Sequence, residues 1–398
     1  MPETTVLVVG AGFGQLPAVH AARALGWHTV VVDRDRHAPA MAAADAAHVV
    51  DIIDTEAVVA VARRERVNGA ITLQSDVGVP SVGAVNSALG TRGVDLATAR
   101  TCSRKDLARQ RWAERNVPQP AFAILTAAEE GAAEAALDIT GLPCIVKPAD
   151  SSGSRGVTKV SERSELRPAL AHAFSTSHAG VVVIEQYVTG REIGAQTFSH
   201  DGRCELVLLH NDQVSAPPYM IPVGHSYPFT ADGADVASIE ASVAAAVEAL
   251  GIGEGPANVD LVLTDDGVPM LLEIGARIGA TCLPELTSIH TGLDWVATAL
   301  RHATGEQVDL RPRRAQACAA LILTAPDDGI VARIDRAHWL DHDDSIVEIE
   351  LNVAPGDRVS RLRKGTDRIG KVVTIAHDTA SAERLAARAA AAVAVTLQ

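Results

Sequence analysis

Cys144-Ile-Val-Lys147-Pro148, followed at once by Ser151-Ser-Gly-Ser-Arg-Gly156, decides how this chain is read. An apolar strand delivers a lysine at its end, and a loop of small residues comes next. Small residues let backbone N–H groups curl around an anion, and the lysine adds a fixed positive charge. Together they read as a triphosphate grip. In the Walker pattern the lysine follows the glycine-rich loop; here it precedes it, which points to a different class of nucleotide site.

The bulk properties narrow the rest. At 398 residues the chain is too long for one core, and two or three domains are expected. It is 47% hydrophobic and 21% charged, as in an ordinary globular protein. The net charge of -14 argues against a nucleic-acid or anionic-membrane partner, since phosphate backbones call for a basic face. Cys102, Cys144, Cys204, Cys282 and Cys318 form no C-x-x-C pair and read as buried thiols. No leader pattern and no apolar run of roughly 18 residues is evident. A cytoplasmic protein is expected.

Outward from the lysine strand, the order of elements gives the fold class. Strands at 5–10, 28–33, 48–52 and 69–76 alternate with helices at 15–26 and 55–66, which implies β-α-β units and a parallel sheet ending near residue 100. Helices at 103–115 and 126–138 precede the lysine strand. Strand 181–188 and an antiparallel hairpin, 190–200 with 204–210, follow it. Ala216–Pro228 reads as a long mobile loop. A helix at 235–250 leads to a second hairpin, 257–264 with 268–274. Arg311–Arg314 marks a seam before a small α+β segment with a strand at 371–376 and a terminal helix at 379–396.

Asp260 and Glu273 lie on the two strands of one hairpin, each flanked by apolar residues. A carboxylate in a buried strand is costly unless it is paired or metal-bound, and hard oxygen ligands suit Mg²⁺. Arg277, four residues on, can grip a carboxylate or a phosphoryl group in a fork. A rival signal is Gly10-Ala-Gly12-Phe-Gly14 between strand and helix, with Asp33 ending the next strand. The third dinucleotide glycine falls on Gln15, so a tight turn is the better reading.

These residues resemble the ATP-grasp superfamily over roughly 5–305. The carriers are VLVVGAGFGQLPAVHAARALGWHTVVVDRD, Arg104-Lys105 with Asn116-Val-Pro118, the lysine strand and loop, Glu185-Gln-Tyr-Val188, and Asp260 with Glu273. The resemblance implies an α/β fold: a Rossmann-like preATP-grasp domain (1–100), a two-lobed α+β ATP-grasp domain (101–305, lobes about 101–188 and 189–305), and a small α+β C-terminal domain (306–398). It implies ATP and Mg²⁺ as cofactors, with Mn²⁺ as an alternative ion. Lys105, Lys147 and the loop Ser151, Ser152, Gly153, Ser154 and Gly156 would hold phosphates. Glu185, Gln186, Tyr187 and Val188 would hold adenine, Glu192 the ribose, and Asp260 and Glu273 the metal. The family often carries Asn two residues after its second metal carboxylate; here that residue is Gly275.

The implied activity is a carboxylate–amine ligase. It would phosphorylate a substrate carboxylate to an acylphosphate and couple it to an amine, with Lys147 and Arg277 as the catalytic charges. His210, Asn211, His225, Ser226, Arg277 and Glu285 are the candidates facing the carboxylate and amine substrates. The alternative is a bicarbonate-phosphorylating carboxylase resembling biotin carboxylase or carboxyaminoimidazole ribonucleotide synthase. A homodimer is compatible with the resemblance; nucleic acid and membrane are not expected partners.

Overall fold

The computed structural model describes residues 4–126, 130–153, 155–216, 221–231 and 233–398. The N-terminal segment forms a parallel sheet of β1 (Thr5–Val9), β2 (His28–Asp33), β3 (Ala46–Val49) and β4 (Gly69–Ile71), in the order β3-β2-β1-β4. It is flanked by α1 (Leu16–Ala24), α2 (Pro39–Ala43), α3 (Thr55–Arg64) and α4 (Val79–Leu89). Val6–Val9 are fully buried, because a parallel sheet is covered on both faces. The expected strand 69–76 stops at Ile71. The backbone of Leu73 is taken up by Gln15, whose Oε1 accepts from the Leu73 N–H (2.9 Å) and whose amide donates to the Leu73 carbonyl. The chain then turns through Gln74 (φ +58°) into a short 3₁₀ turn at Asp76–Gly78.

The expected helix 103–115 is α6 (Lys105–Glu114), and a separate helix, α5 (Leu96–Cys102), precedes it. Arg104 between them is extended (φ -128°), and its guanidinium forks onto Asp106 at 2.7 and 2.8 Å. Lys105 therefore stands at the first position of α6, where its amide donates to the Ala149 carbonyl (2.8 Å).

A second sheet follows, β5 (Phe122–Leu125), β6 (Cys144–Pro148), β7 (Thr158–Val160) and β8 (Val182–Gln186), ordered β5-β8-β6-β7 and wholly antiparallel. Helices α7 (Glu130–Thr140) and α8 (Arg163–Thr176) cover it; part of the expected helix 126–138 lies outside the described residues.

The largest sheet has eight strands. β9 (Arg191–His200) and β10 (Arg203–Val214) form the expected hairpin about Asp201-Gly202. With β11 (Pro222–Tyr227), β12 (Gly255–Leu263), β13 (Pro269–Gly275), β14 (Ala317–Thr324), β16 (Ile346–Leu351) and β18 (Arg368–Ala376), they run in the order β13-β12-β9-β10-β11-β14-β18-β16. Helices α9 (Val236–Ala249), α10 (Leu283–Thr291), α11 (Trp295–Ala303) and α12 (Thr379–Ala391) pack around it. The segment beyond residue 306 thus shares this sheet, since β14 pairs directly with β11. A third group, β17-β15-β19, comprises β15 (Gly329–Arg336), β17 (Arg358–Val359) and β19 (Val393–Leu397).

Two expectations are corrected here. Much of the Pro-rich stretch read as a loop is β11, hydrogen-bonded on both sides, with Tyr227 fully buried; residues 217–220 lie outside the described residues. The terminal helix ends at Ala391, and the β-branched run after it forms β19 against β15.

Arg109, on α6 and 1% exposed, ties three parts together. Its Nε donates to Glu185 on β8 (2.7 Å), and Nη1 and Nη2 donate to the carbonyls of Leu271 (2.7 Å) and Leu272 (3.0 Å) on β13. Arg109→Met is expected to lower stability by about 3–5 kcal/mol, because Glu185 loses a partner inside the fold. Urea unfolding checks this, and an unshifted midpoint would contradict it.

Candidate active site

Lys105 reaches across from the start of α6. Its Nζ donates to the Ser151 carbonyl (2.7 Å) and to Glu273 Oε1 (3.0 Å), so one ammonium joins the small-residue loop to β13. Gly153 and Gly156 have φ of +66° and +76°, and a Cβ at Gly156 would meet Pro148 and Thr176 at 2.9 Å. Asp150 braces the base of the loop, accepting from the Ser177 hydroxyl (2.8 Å) and the Ala179 amide (2.6 Å). Ser151 and Ser152 are half-buried; Ser154 lies outside the described residues.

Lys147 is buried at the end of β6, 2.8 Å from Glu185 Oε2. Burial, together with the cations of Arg109 and Lys105, lowers its pKa despite that pairing. Burial opposes the Glu185 charge, but Arg109 and Lys147 outweigh it and hold the carboxyl well below its ordinary value. The Glu185 side chain closes an internal ion network with Arg109 and Lys147. The Gln186 and Tyr187 amides are likewise engaged, donating to the Ala121 (2.8 Å) and Pro143 (3.1 Å) carbonyls. Lys159 stands 3.5 Å over the Tyr187 ring. Val188, half-buried, follows where the strand ends.

Strand alternation places the remaining candidates. Asp260 and Glu273 are direct cross-strand partners, and Asp260 also pairs with Gly194, which pairs with His210. Residues two apart share a face, so Glu192, Gly194 and Gln196 of β9 line up with Asn258 and Asp260 of β12 and with His210 and Asp212 of β10. Burial, with the charges of Asp212 and Glu273 beside it, pushes the Asp260 pKa up to about 7. Burial and Asp212 also raise Glu192. Asp212 Oδ1 lies 2.6 Å from the Nδ1 atoms of both His210 and His225. Mutually repelling carboxylates around a buried, polar floor are a donor set that a divalent cation fits.

Three expected contacts fall elsewhere. Ser226, next to His225 on β11, points to the opposite face, where its hydroxyl donates to Glu383 of α12 (2.6 Å). Asn211 alternates in the same way and donates to the Ser226 hydroxyl (2.9 Å). Glu285 is held by Lys371 (2.7 Å), which also meets Glu348 and Glu350. Asp33 accepts from the Ala11 amide (2.8 Å) and so closes the Gly10–Gly14 turn.

Two site residues escaped the sequence reading. Asp76 lies against Arg277, with Oδ1 at 2.9 Å from Nε and Oδ2 accepting from Nη2 at 3.0 Å. Against burial, this pairing and the nearby Asp260 and Glu273 raise the Arg277 pKa. A Cβ at Gly275 would sit 2.5 Å from Asp76 Oδ1, which explains the glycine there. Asn258, directly across from Gly275, donates to Asp260 Oδ1 (2.9 Å) and accepts from Gln196 (2.7 Å). The signals were available: Asp76 follows the last parallel strand, where open α/β sheets place functional loops, and Asn258 precedes Asp260 by two.

The chain is similar to known proteins along most of its length. The family model described as D-ala D-ala ligase C-terminus matches residues 112–294, and that for L-amino acid ligase C-terminal domain 2 matches 321–398. The chain is 30% identical over 301 residues to the formate-dependent phosphoribosylglycinamide formyltransferase of Ignicoccus hospitalis, covering 71% of each. It is 28% identical over 313 residues to the protein y4rH of Sinorhizobium fredii and spans 64% of that protein's length; it spans half of the Anaeromyxobacter D-alanine–D-alanine ligase, at 34% identity over 156 residues. The crystal structure of an L-amino acid ligase from Bacillus licheniformis superposes with a TM-score of 0.84 at 20% identity, over 100% of this chain and 99% of that one. With its mixed α/β fold and this relationship across most of its length, the chain belongs to the ATP-grasp superfamily of ligases.

Proposed function

We propose that this protein is an ATP-dependent carboxylate–amine ligase. The observation that carries the reading is Lys105, which bridges the phosphate-type loop and Glu273 beside Asp260. A single cation that touches both the loop and Glu273 supports the reading that a triphosphate and its metal meet there. The two ligase family models, one on each side of residue 300, favour an amino-acid carboxylate and an amino-acid amine as substrates.

In this reading the γ-phosphoryl of ATP passes to the carboxylate oxygen. The amine then attacks the acylphosphate carbonyl, phosphate leaves, and an amide remains with ADP. Mg²⁺ bound at Asp260 and Glu273 would offset charge on the phosphate oxygens. Lys147 and Lys105 supply fixed positive charge, and the amides of Ser151–Gly156 cradle the phosphates. The nucleotide base would meet the chain at Val188 and beyond, because the two preceding amides are engaged. Glu192 faces the ribose. Arg277, oriented by Asp76, would steady the acylphosphate and the tetrahedral oxyanion. His225 and His210, held by Asp212, would line the substrate side. The units proposed at 1–100, 101–305 and 306–398 all bear on the site, through Asp76, the Asp260–Glu273 hairpin and the sheet neighbour of β11, respectively.

The test is phosphate release from ATP and Mg²⁺ across amino acids, with hydroxylamine as a trap and a separate bicarbonate arm. Amino-acid-dependent phosphate with hydroxamate is expected; stimulation by bicarbonate alone would replace this reading with a carboxylase. Glu273→Gln is expected to abolish turnover without changing the circular dichroism spectrum, and wild-type turnover would remove the metal assignment.

Gly275→Asn, which restores the side chain common in the family, is expected to lower kcat about 10²-fold by displacing Asp76 and with it Arg277. Steady-state kinetics measure this, and an unchanged kcat would mean that Asp76 does not orient the arginine.

A further inference from the structure

At the end of β9 remote from Glu192, a second polar cluster forms from three separate elements. His302 of α11 places Nε2 2.7 Å from Glu254 Oε2. His200, the last residue of β9, places Nδ1 3.7 Å from the same oxygen, and that nitrogen is buried without a hydrogen-bond partner among the described residues. The three donor atoms all lie within 4.8 Å of one another. The far nitrogen of His200 faces Asp201 Oδ2 at 3.4 Å. His302 is 1% exposed and is fixed by edge-on contact with Phe198.

We propose that His200, Glu254 and His302 form a binding site for a transition-type divalent cation of the zinc class, separate from the Asp260–Glu273 pair. Two imidazoles and one carboxylate select such an ion over Mg²⁺, which prefers an all-oxygen shell. Zinc–nitrogen and zinc–oxygen bonds of about 2.0–2.2 Å bring ligand atoms to separations close to those found here. Asp201 supplies the outer carboxylate that orients a ligating histidine. The orphaned His200 Nδ1 gains a partner that no protein group provides.

Glu254 also lines a cavity of about 460 Å³, together with Asn68, Thr91, Arg92 and Thr304. Arg92 stands with Nε 3.9 Å from Glu254 Oε2, and its buried Nη1 is without a partner among the described residues. A cation beside that cavity suits water or a small anion as the fourth ligand.

The experiment uses the full chain, free of any affinity tag and stripped with a chelator, titrated with Zn²⁺ and separately with Co²⁺. One equivalent of tight zinc, a visible ligand-field band with cobalt, and a zinc-dependent rise in Tm are expected. His200→Gln should remove the tight zinc and the Tm response, and Asp201→Asn should weaken zinc roughly 10–100-fold. Glu254→Gln, which preserves volume, repeats the test if His200→Gln unfolds. Zinc binding that is absent in the wild type, unchanged in these variants, or lost only in His225→Gln would overturn the proposal. None of these readouts depends on ligase turnover.

Discussion

The constraint on which the rest of this structure depends is one buried carboxylate. Glu185 sits between two cations, Arg109 and Lys147, in a part of the molecule from which water is nearly excluded. None of the three could be charged there alone, because burying an isolated ion costs several kcal/mol. Together they fix the end of β6, the end of β8 and the face of α6 relative to β13. Lys147 is thereby held in a single place although its stem is flexible. Lys105, four residues before Arg109 on α6, inherits that order and spans from the loop to Glu273.

The eight-stranded sheet then sorts side chains by parity. On β9, β10 and β12, Glu192, Gln196, His210, Asp212 and Asn258 share the face of Asp260, and the residues between them, such as Ile193, Ala195 and Val259, enter the apolar core. Parity is why His225 belongs with Asp212 whereas Ser226 belongs with Glu383. It also gives Gly194 its meaning. This residue lies between Asp260 and His210 in adjacent strands, and any side chain there would collide with the imidazole.

Much of the fold was legible in the chain because its signals are local. Alternating apolar runs gave the parallel sheet, and Asp201-Gly202 and Asp265-Asp-Gly267 gave the hairpins. The lysine strand, the loop and the two strand carboxylates were legible as a set for the same reason: each is a charged or small residue in an apolar context. What escaped was pairing across long sequence distance. Nothing near Asp76 announces Arg277, and nothing near Glu185 announces Arg109. The Pro-rich stretch misled because Pro222 opens β11 and Pro228 follows it, so neither interrupts the hydrogen bonds between. The terminal helix was overextended because alanine runs into a β-branched segment that only β15 makes a strand.

Gly275 shows how a departure from a family pattern can be resolved by register. Read along the chain, it removes an amide from the acid pair. Read across the sheet, Asn258 faces it directly and bonds Asp260, while Asp76 fills the space where a side chain at 275 would lie. The amide beside Asp260 comes from the neighbouring strand, and the space over Gly275 admits a carboxylate from the N-terminal segment. That carboxylate orients Arg277, so the first parallel sheet, which contributes little else to the site, becomes part of its charge balance. The same segment lends Arg92 to the far end of β9. Because Asp76 follows β4 and pairs with Arg277, any shift of the N-terminal sheet would be felt at that arginine.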